Sequence, residues 1–172
     1  MMLFRAVILA VAALVGADAL QAPRVRSSHP YIRAMIAEAQ VRSATFRALV
    51  KAIESSDGIV YVEEGECPSR LRACLPPFIT SAGAFRFLRV LVDARLEDWQ
   101  VMSDIGHELQ HALEVLRDPT ARTDASLFYL VFKANFVTQH VYETQDAVKT
   151  GDAVKKEVKA FASNGSTKGR SR

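Results

Sequence analysis

The sequence predicts an α+β domain that is mainly helical. Its expected parts are a long N-terminal helix, a small antiparallel β-hairpin or sheet, a central helix carrying His107 and His111, and a C-terminal helix. Three observations lead there. Apolar residues recur at steps of three and four over residues 30–56, 99–116 and from about Asp124 onward, the period of a helix with one buried face. Two short runs rich in β-branched and aromatic residues, 59–62 and 85–94, lie between the first two of these segments. The 172 residues suffice for one domain with a real core and are too few for two of ordinary size.

In chain order, residues 1–19 read as a secretory signal: Arg5, an apolar stretch over 6–15, then the small-x-small site Ala17-Asp18-Ala19. Cleavage is expected after Ala19, with Ala22 as the alternative. The apolar stretch is too short to span a bilayer, and no later stretch does so. Residues 20–28 read as a polar linker, 29–162 as the folded domain and 163–172 as a disordered polar tail.

Within the domain, Ile32, Met35, Ile36, Ala39, Phe46, Leu49, Val50 and Ile53 predict one long helix, stopped by Asp57-Gly58. Residues 59–62 form the first expected strand. Pro68, Pro76 and Pro77 then disfavour regular structure in the loop that holds Cys67 and Cys74. Those two are an even cysteine pair in a chain read as exported, so a disulfide closing a short loop is expected. The second strand, 85–94, alternates imperfectly because Arg86 and Arg89 interrupt it. It is expected to pair with the first strand.

Residues 99–116 follow as a helix with the apolar stripe Ile105, Leu109, Ala112, Leu113 and Leu116. Asp98 is its expected N-cap, Arg117 suits its C-terminal dipole, and Pro119 stops it. A further helix is expected from Asp124, with Leu127, Leu130, Val131, Ala134, Val137 and Val141 inward. Gly151 is read as a break before a last amphipathic turn through Val154, Val158 and Phe161.

The formal net charge of +3 is mild, and no basic stripe is interleaved with aromatic residues, which argues against nucleic-acid binding. The informative feature is local: His107-Glu108-Leu109-Gln110-His111. On a helix, residues four apart share a face, so both imidazoles can bind one metal ion. Glu108 is turned about 100° from His107, which puts its carboxylate beside the ion and leaves it free to take a proton from the attacking water. With 4 His in 172 residues, shuffling yields this three-residue pattern on the order of 0.005 times per chain, so the spacing is signal.

A catalytic zinc site usually has three protein ligands and an open position. Glu114, at i+7 from His107, is about 10.5 Å along the helix and too far to converge with both histidines; it reads as an outer partner or a surface charge. Glu143, expected on the following antiparallel helix, is the better third ligand, and His140 is its rival. Asp146 is a candidate acceptor for the second ring N–H of a ligand histidine.

The stretch Asp104-Ile105-Gly106-His107-Glu108-Leu109-Gln110-His111-Ala112-Leu113 resembles the extended signature of zincin metallopeptidases. It departs from that pattern at Asp104, where the family usually has a small or apolar residue. No glycine and third histidine follow His111 at metzincin spacing, so the resemblance is to the gluzincin branch, in which a glutamate on a downstream helix completes the site. Gluzincins often carry an aspartate four residues after that glutamate; here that position is Ala147, and the aspartate is Asp146.

The resemblance covers residues 85–157 and implies a zincin-like fold, one zinc ion per chain held by His107, His111 and Glu143, and Glu108 as general base. A peptide or protein would be the substrate, lying extended along the strand around 87–92 as an edge, and Tyr129, His140 or Tyr142 would be the oxyanion donor. The expected function is an exported zinc metallopeptidase, secreted or periplasmic. The alternative is a zinc-binding partner protein without catalysis.

Overall fold

The computed structural model describes residues 22–134 and 143–168. In chain order the elements are β1 (Val25–Arg26), α1 (Pro30–Arg42), α2 (Ala44–Glu54), β2 (Gly58–Glu64), a 3-10 turn (Pro68–Arg70), β3 (Ala73–Cys74), β4 (Ile79–Ala82), β5 (Phe85–Val92), α3 (Asp98–Arg117), α4 (Asp124–Ala134) and α5 (Gln145–Lys168). The class is α+β, with helices packed against a small mixed sheet.

The single long N-terminal helix expected over 30–56 is two helices. Ser43 is extended (φ −127°, ψ 121°), and its Oγ accepts the Phe46 N–H at 3.0 Å, which caps α2. The cap is reinforced from α5: the Glu157 carboxylate accepts from Ser43 Oγ at 2.6 Å and from Thr45 N at 3.0 Å. A carboxylate at this helix N-terminus also suits the dipole. Ile32, Met35, Ile36 and Ala39 of α1, and Phe46, Leu49, Val50 and Ile53 of α2, are all buried.

The sheet corrects two expectations. β2 and β5 pair in parallel, with Ile59 opposite Phe87 and Val62 opposite Val90, and do not form the antiparallel hairpin anticipated. The hairpin partner of β5 is β4, joined through Gly83 at φ +57°. A two-residue loop whose first residue has positive φ favours glycine there. β3 pairs antiparallel with the far end of β5. β5 therefore lies inside the sheet, between β2 on one side and β3 and β4 on the other, and it is not an edge. Val25–Arg26, within the segment read as linker, adds to β2 in parallel, and Val25 is buried.

Arg86 explains why the alternation of β5 looked imperfect. Arg86, Leu88, Val90 and Val92 all face inward. The buried Arg86 guanidinium donates to Asp57 (Nη2–Oδ1 2.6 Å) and to the carbonyls of Leu116 (2.6 Å), Asp118 (2.7 Å) and Ala121 (3.1 Å). It thus satisfies carbonyls at and just beyond the C-terminus of α3 that no helical N–H can reach.

α3 is the axis of the molecule. Its N-cap is Glu97, one residue before the expected Asp98, and the Gln100 side chain accepts the Glu97 N–H at 3.3 Å. From Val101 to Leu116 nearly every side chain is buried, polar ones included. The sheet, α1 and α2, and α5 all pack on it.

The packing against α5 is close. A Cβ on Gly106 would lie 2.9 Å from Val154 Cγ2, and a Cβ on Gly151 would lie 3.2 Å from His107 Cβ. Gly151 therefore sits inside α5 and does not break it; its missing side chain lets the two helices touch. α5 also runs through Lys168, so residues 163–168, expected to be disordered, are helical. Each residue added to a formed helix gains a hydrogen bond without paying for nucleation, which offsets poor local propensity. The signal segment 1–19, together with Val137, His140, Val141 and Tyr142, lies outside the described residues.

Candidate metal centre

α3 carries His107 and His111 on one face, with ring centroids 4.9 Å apart. Their Nε2 atoms are 3.2 Å from each other. Glu143 Oε1 lies 3.3 Å from His107 Nε2 and 3.6 Å from His111 Nε2. These three residues form a group able to hold a metal ion, and it is the one such group among the described residues. The spacing is chemically pointed. Ligands about 2 Å from a tetrahedral ion are separated by about 3.3 Å, and the three edges found here cluster at that value.

Glu143 reaches the centre from an unexpected place. It is not on a helix but in the residues just before α5. Thr144 starts α5: its Oγ1 accepts the Ala147 N–H at 3.1 Å. The same hydroxyl donates to Glu114 Oε1 at 2.9 Å, tying the segment that carries Glu143 to α3.

Glu114 is the residue behind His111. Its Oε2 accepts from His111 Nδ1 at 3.3 Å, and its Oε1 accepts from Gln110 Nε2 at 3.1 Å. Since a carboxylate only accepts, the ring proton of His111 belongs on Nδ1, which leaves the Nε2 lone pair for a metal. Burial acts to raise the Glu114 pKa. Hydrogen bonds from His111, Gln110 and Thr144 outweigh it and bring the carboxyl down to about 2. Asp146, the residue anticipated for this role, is exposed in the first turn of α5.

The electrostatics favour the neutral ring of His107. Burial holds His107 below its ordinary pKa, against the pull of the nearby Glu143 carboxylate. His111 is only 2 % exposed. Glu108, 6 % exposed, lies beside the pair. Burial foremost, then repulsion from Glu143 and Asp104, pushes its carboxyl up to about 8, and a hydrogen bond from the Leu75 backbone opposes the shift.

These groups open onto a cleft of about 530 Å³. One wall is α3, with Asp104, His107, Glu108 and His111. The other runs along the loop closed by the Cys67–Cys74 disulfide and on through Leu75 to Phe78. Ser69 and Arg70 in that loop both have positive φ (57° and 59°), a conformation that costs non-glycine residues about 1 kcal/mol or more each. Cross-linking the loop ends restricts the alternatives.

Of the residues expected to donate to an oxyanion, Tyr129 is exposed on α4 and does not line the cleft. His140 and Tyr142 lie outside the described residues. Sequence reasoning missed Thr144, Gly151 and Arg72. Thr144 was readable as a helix start. Gly151 was read as a breaker because nothing local reports the approach of a distant helix. Arg72, which donates to Asp104, carried no local signal. No family model, curated protein or solved structure matches the chain.

Proposed function

We propose that this chain is a zinc-dependent peptidase, with His107, His111 and Glu143 holding one zinc ion and Glu108 acting as general base. The observation that carries the reading is the near-equilateral triangle of Nε2, Nε2 and Oε1 atoms with edges of 3.2, 3.3 and 3.6 Å, beside a buried glutamate that is not part of it. Two imidazoles and one carboxylate are a common catalytic zinc set, and they leave a fourth position open.

When bound, zinc supplies Lewis acidity, polarising a carbonyl and making water a better acid. The chain's residues do the rest. Glu108 sits in a low-dielectric wall, so its carboxylate is a stronger base than in water and its acid form is stable once a proton arrives. Glu114 holds the tautomer of His111.

The cleft wall suits an extended peptide. The Arg72 carbonyl accepts from the Asp93 N–H at 2.8 Å, toward β5. Alternation along a strand turns the N–H and C=O of Ala73 to the opposite side, away from β5. A substrate would add along β3, not along β5. A disulfide in this wall fits an oxidising, exported setting.

The test is Glu108→Gln in zinc-loaded protein, assayed on a mixed peptide library by mass spectrometry. We expect full zinc content and a loss of turnover of at least about 100-fold. Wild-type protein with zinc bound that cleaves nothing would leave the non-catalytic zinc-binding alternative. A Glu108→Gln variant as fast as wild type would remove Glu108 from the mechanism.

A further inference from the structure

We propose that Arg72, held by Asp104, recognises a carboxylate, so that the cleft takes peptides by their C-terminal end; this rests on the peptidase reading above. Asp104 lies one turn before His107 on α3 and is only 8 % exposed. Its Oδ1 accepts from Arg72 Nη2 at 3.0 Å, and its Oδ2 has no partner among the described residues. A buried carboxylate is costly unless it is paired, and its pairing here fixes one guanidinium at the cleft.

Arg72 itself is 57 % exposed. It lines both the main cleft and a smaller recess of about 130 Å³ that also contains Trp99, Ser103, Gly151 and Lys155. It therefore bridges from the disulfide loop to α3 across one end of the cleft. A guanidinium has five N–H donors in a planar fork that matches a carboxylate, and Asp104 takes one of them among the described residues. A cationic ligand group would have to displace the guanidinium already on Asp104, whereas an anion needs only to join it. On the recess side the Lys155 charge also acts on Asp104, which leaves Arg72 less of that carboxylate to neutralise, and Asp152 lines the same recess.

Chain direction selects which carboxylate. β3 begins next to Arg72 and leads on toward Phe78. A peptide added antiparallel to it runs the other way and brings its C-terminal end to Arg72. Asp104 and His107 are three residues apart, about 4.5 Å of helix axis. One or two residues of extended chain, at about 3.3 Å each, cover that reach. The terminal carboxylate would then sit one or two residues beyond the bond held at the metal ligands. Asp104 is a positioning residue in this scheme, and Arg72 touches the substrate.

The experiment compares N-acetylated tetrapeptides ending in a free acid with the same peptides ending in an amide. Zinc-loaded wild type should cleave the acids with a kcat/KM about tenfold or more above the amides, and Arg72→Gln should bring the two within about twofold. Arg72 is largely exposed, so that variant should fold. Zinc-loaded Glu108→Gln, titrated calorimetrically, reads binding without turnover and should show the same preference for acids.

Equal handling of acids and amides, or a preference that survives Arg72→Gln, would overturn the proposal. So would a Glu108→Gln protein that binds neither peptide at millimolar concentration. If Glu108→Gln prefers acids while wild type cleaves nothing, the peptidase reading fails and the carboxylate site stands.

Discussion

His111 is fixed at both ends of its ring. Nε2 points to the centre shared with His107 and Glu143, and Nδ1 donates to Glu114 at 3.3 Å. A ligand ring oriented this way loses little rotational freedom when a metal binds. Glu114→Ala should therefore leave the fold intact and weaken zinc about 10- to 100-fold, measured by competition with a chromogenic chelator. An unchanged affinity would show that Glu114 does not orient the ring.

At this scale the sequence was most informative, because His107, Glu108 and His111 meet through the geometry of one helix alone. Glu143 was legible as a residue and illegible in its placement, since its position depends on where α5 starts. Thr144 marks that start, but the apolar pattern on either side of it hid the marker. Asp104 and Arg72 were harder still. One looked like an anomaly in a motif, and the other carried no signal until the loop folded over α3.

Elements meet through single residues that local pattern misreads. The α1–α2 break was invisible because Ala39 and Phe46 are seven apart, in phase with an uninterrupted helix, while the Ser43 cap lies between them. The parallel pairing of β2 and β5 was equally hidden, because it depends on β3 and β4, which follow β2 in the chain, lying on the far side of β5. Gly151 is the element-scale determinant of the site. Gly151→Val would drive side-chain atoms into His107, whose Cβ is already 3.2 Å from where the new Cβ would stand. We expect α5 to shift, zinc affinity to fall and the thermal midpoint to drop; a variant with wild-type zinc affinity would show that the helix contact does not position His107.

Arg86 joins β5 to the end of α3 in the same single-residue way. Removing its charge strands Asp57 and several carbonyls, so Arg86→Met should cost about 3 kcal/mol or more in urea unfolding. The Asp57 pKa is held below its ordinary value, first by the hydrogen bonds from Arg86. A depressed carboxyl stabilises the fold fully above its unfolded pKa of about 3.9, and that contribution is lost as pH falls through the lower, folded pKa. Asp57→Asn should flatten this acid limb of the stability curve. An unchanged limb would assign the pH dependence elsewhere.

In the whole molecule, a sheet, a disulfide-closed loop and the helices α1, α2 and α5 surround α3, and the polar face of α3 opens into the cleft. An almost fully buried helix would ordinarily be apolar all round. Ser103, Asp104, Glu108, Gln110 and His111 are nevertheless buried within it, a cost offset in part by hydrogen bonds such as Ser103 Oγ to the Gly151 carbonyl and Gln110 to Glu114, and one that the proposed metal centre accounts for at His111 and Glu108. Metal held at this axis binds the native state alone, so it should stabilise the fold by mass action, and chelation should lower the thermal midpoint.

The most direct measurement is zinc per chain by elemental analysis, on wild type and on His111→Ala and Glu143→Ala purified without chelator. The account predicts one zinc per wild-type chain and its loss in both variants, with the three proteins equally folded by circular dichroism. Wild-type protein that holds no zinc after incubation with the metal, or variants that hold as much as wild type, would contradict it.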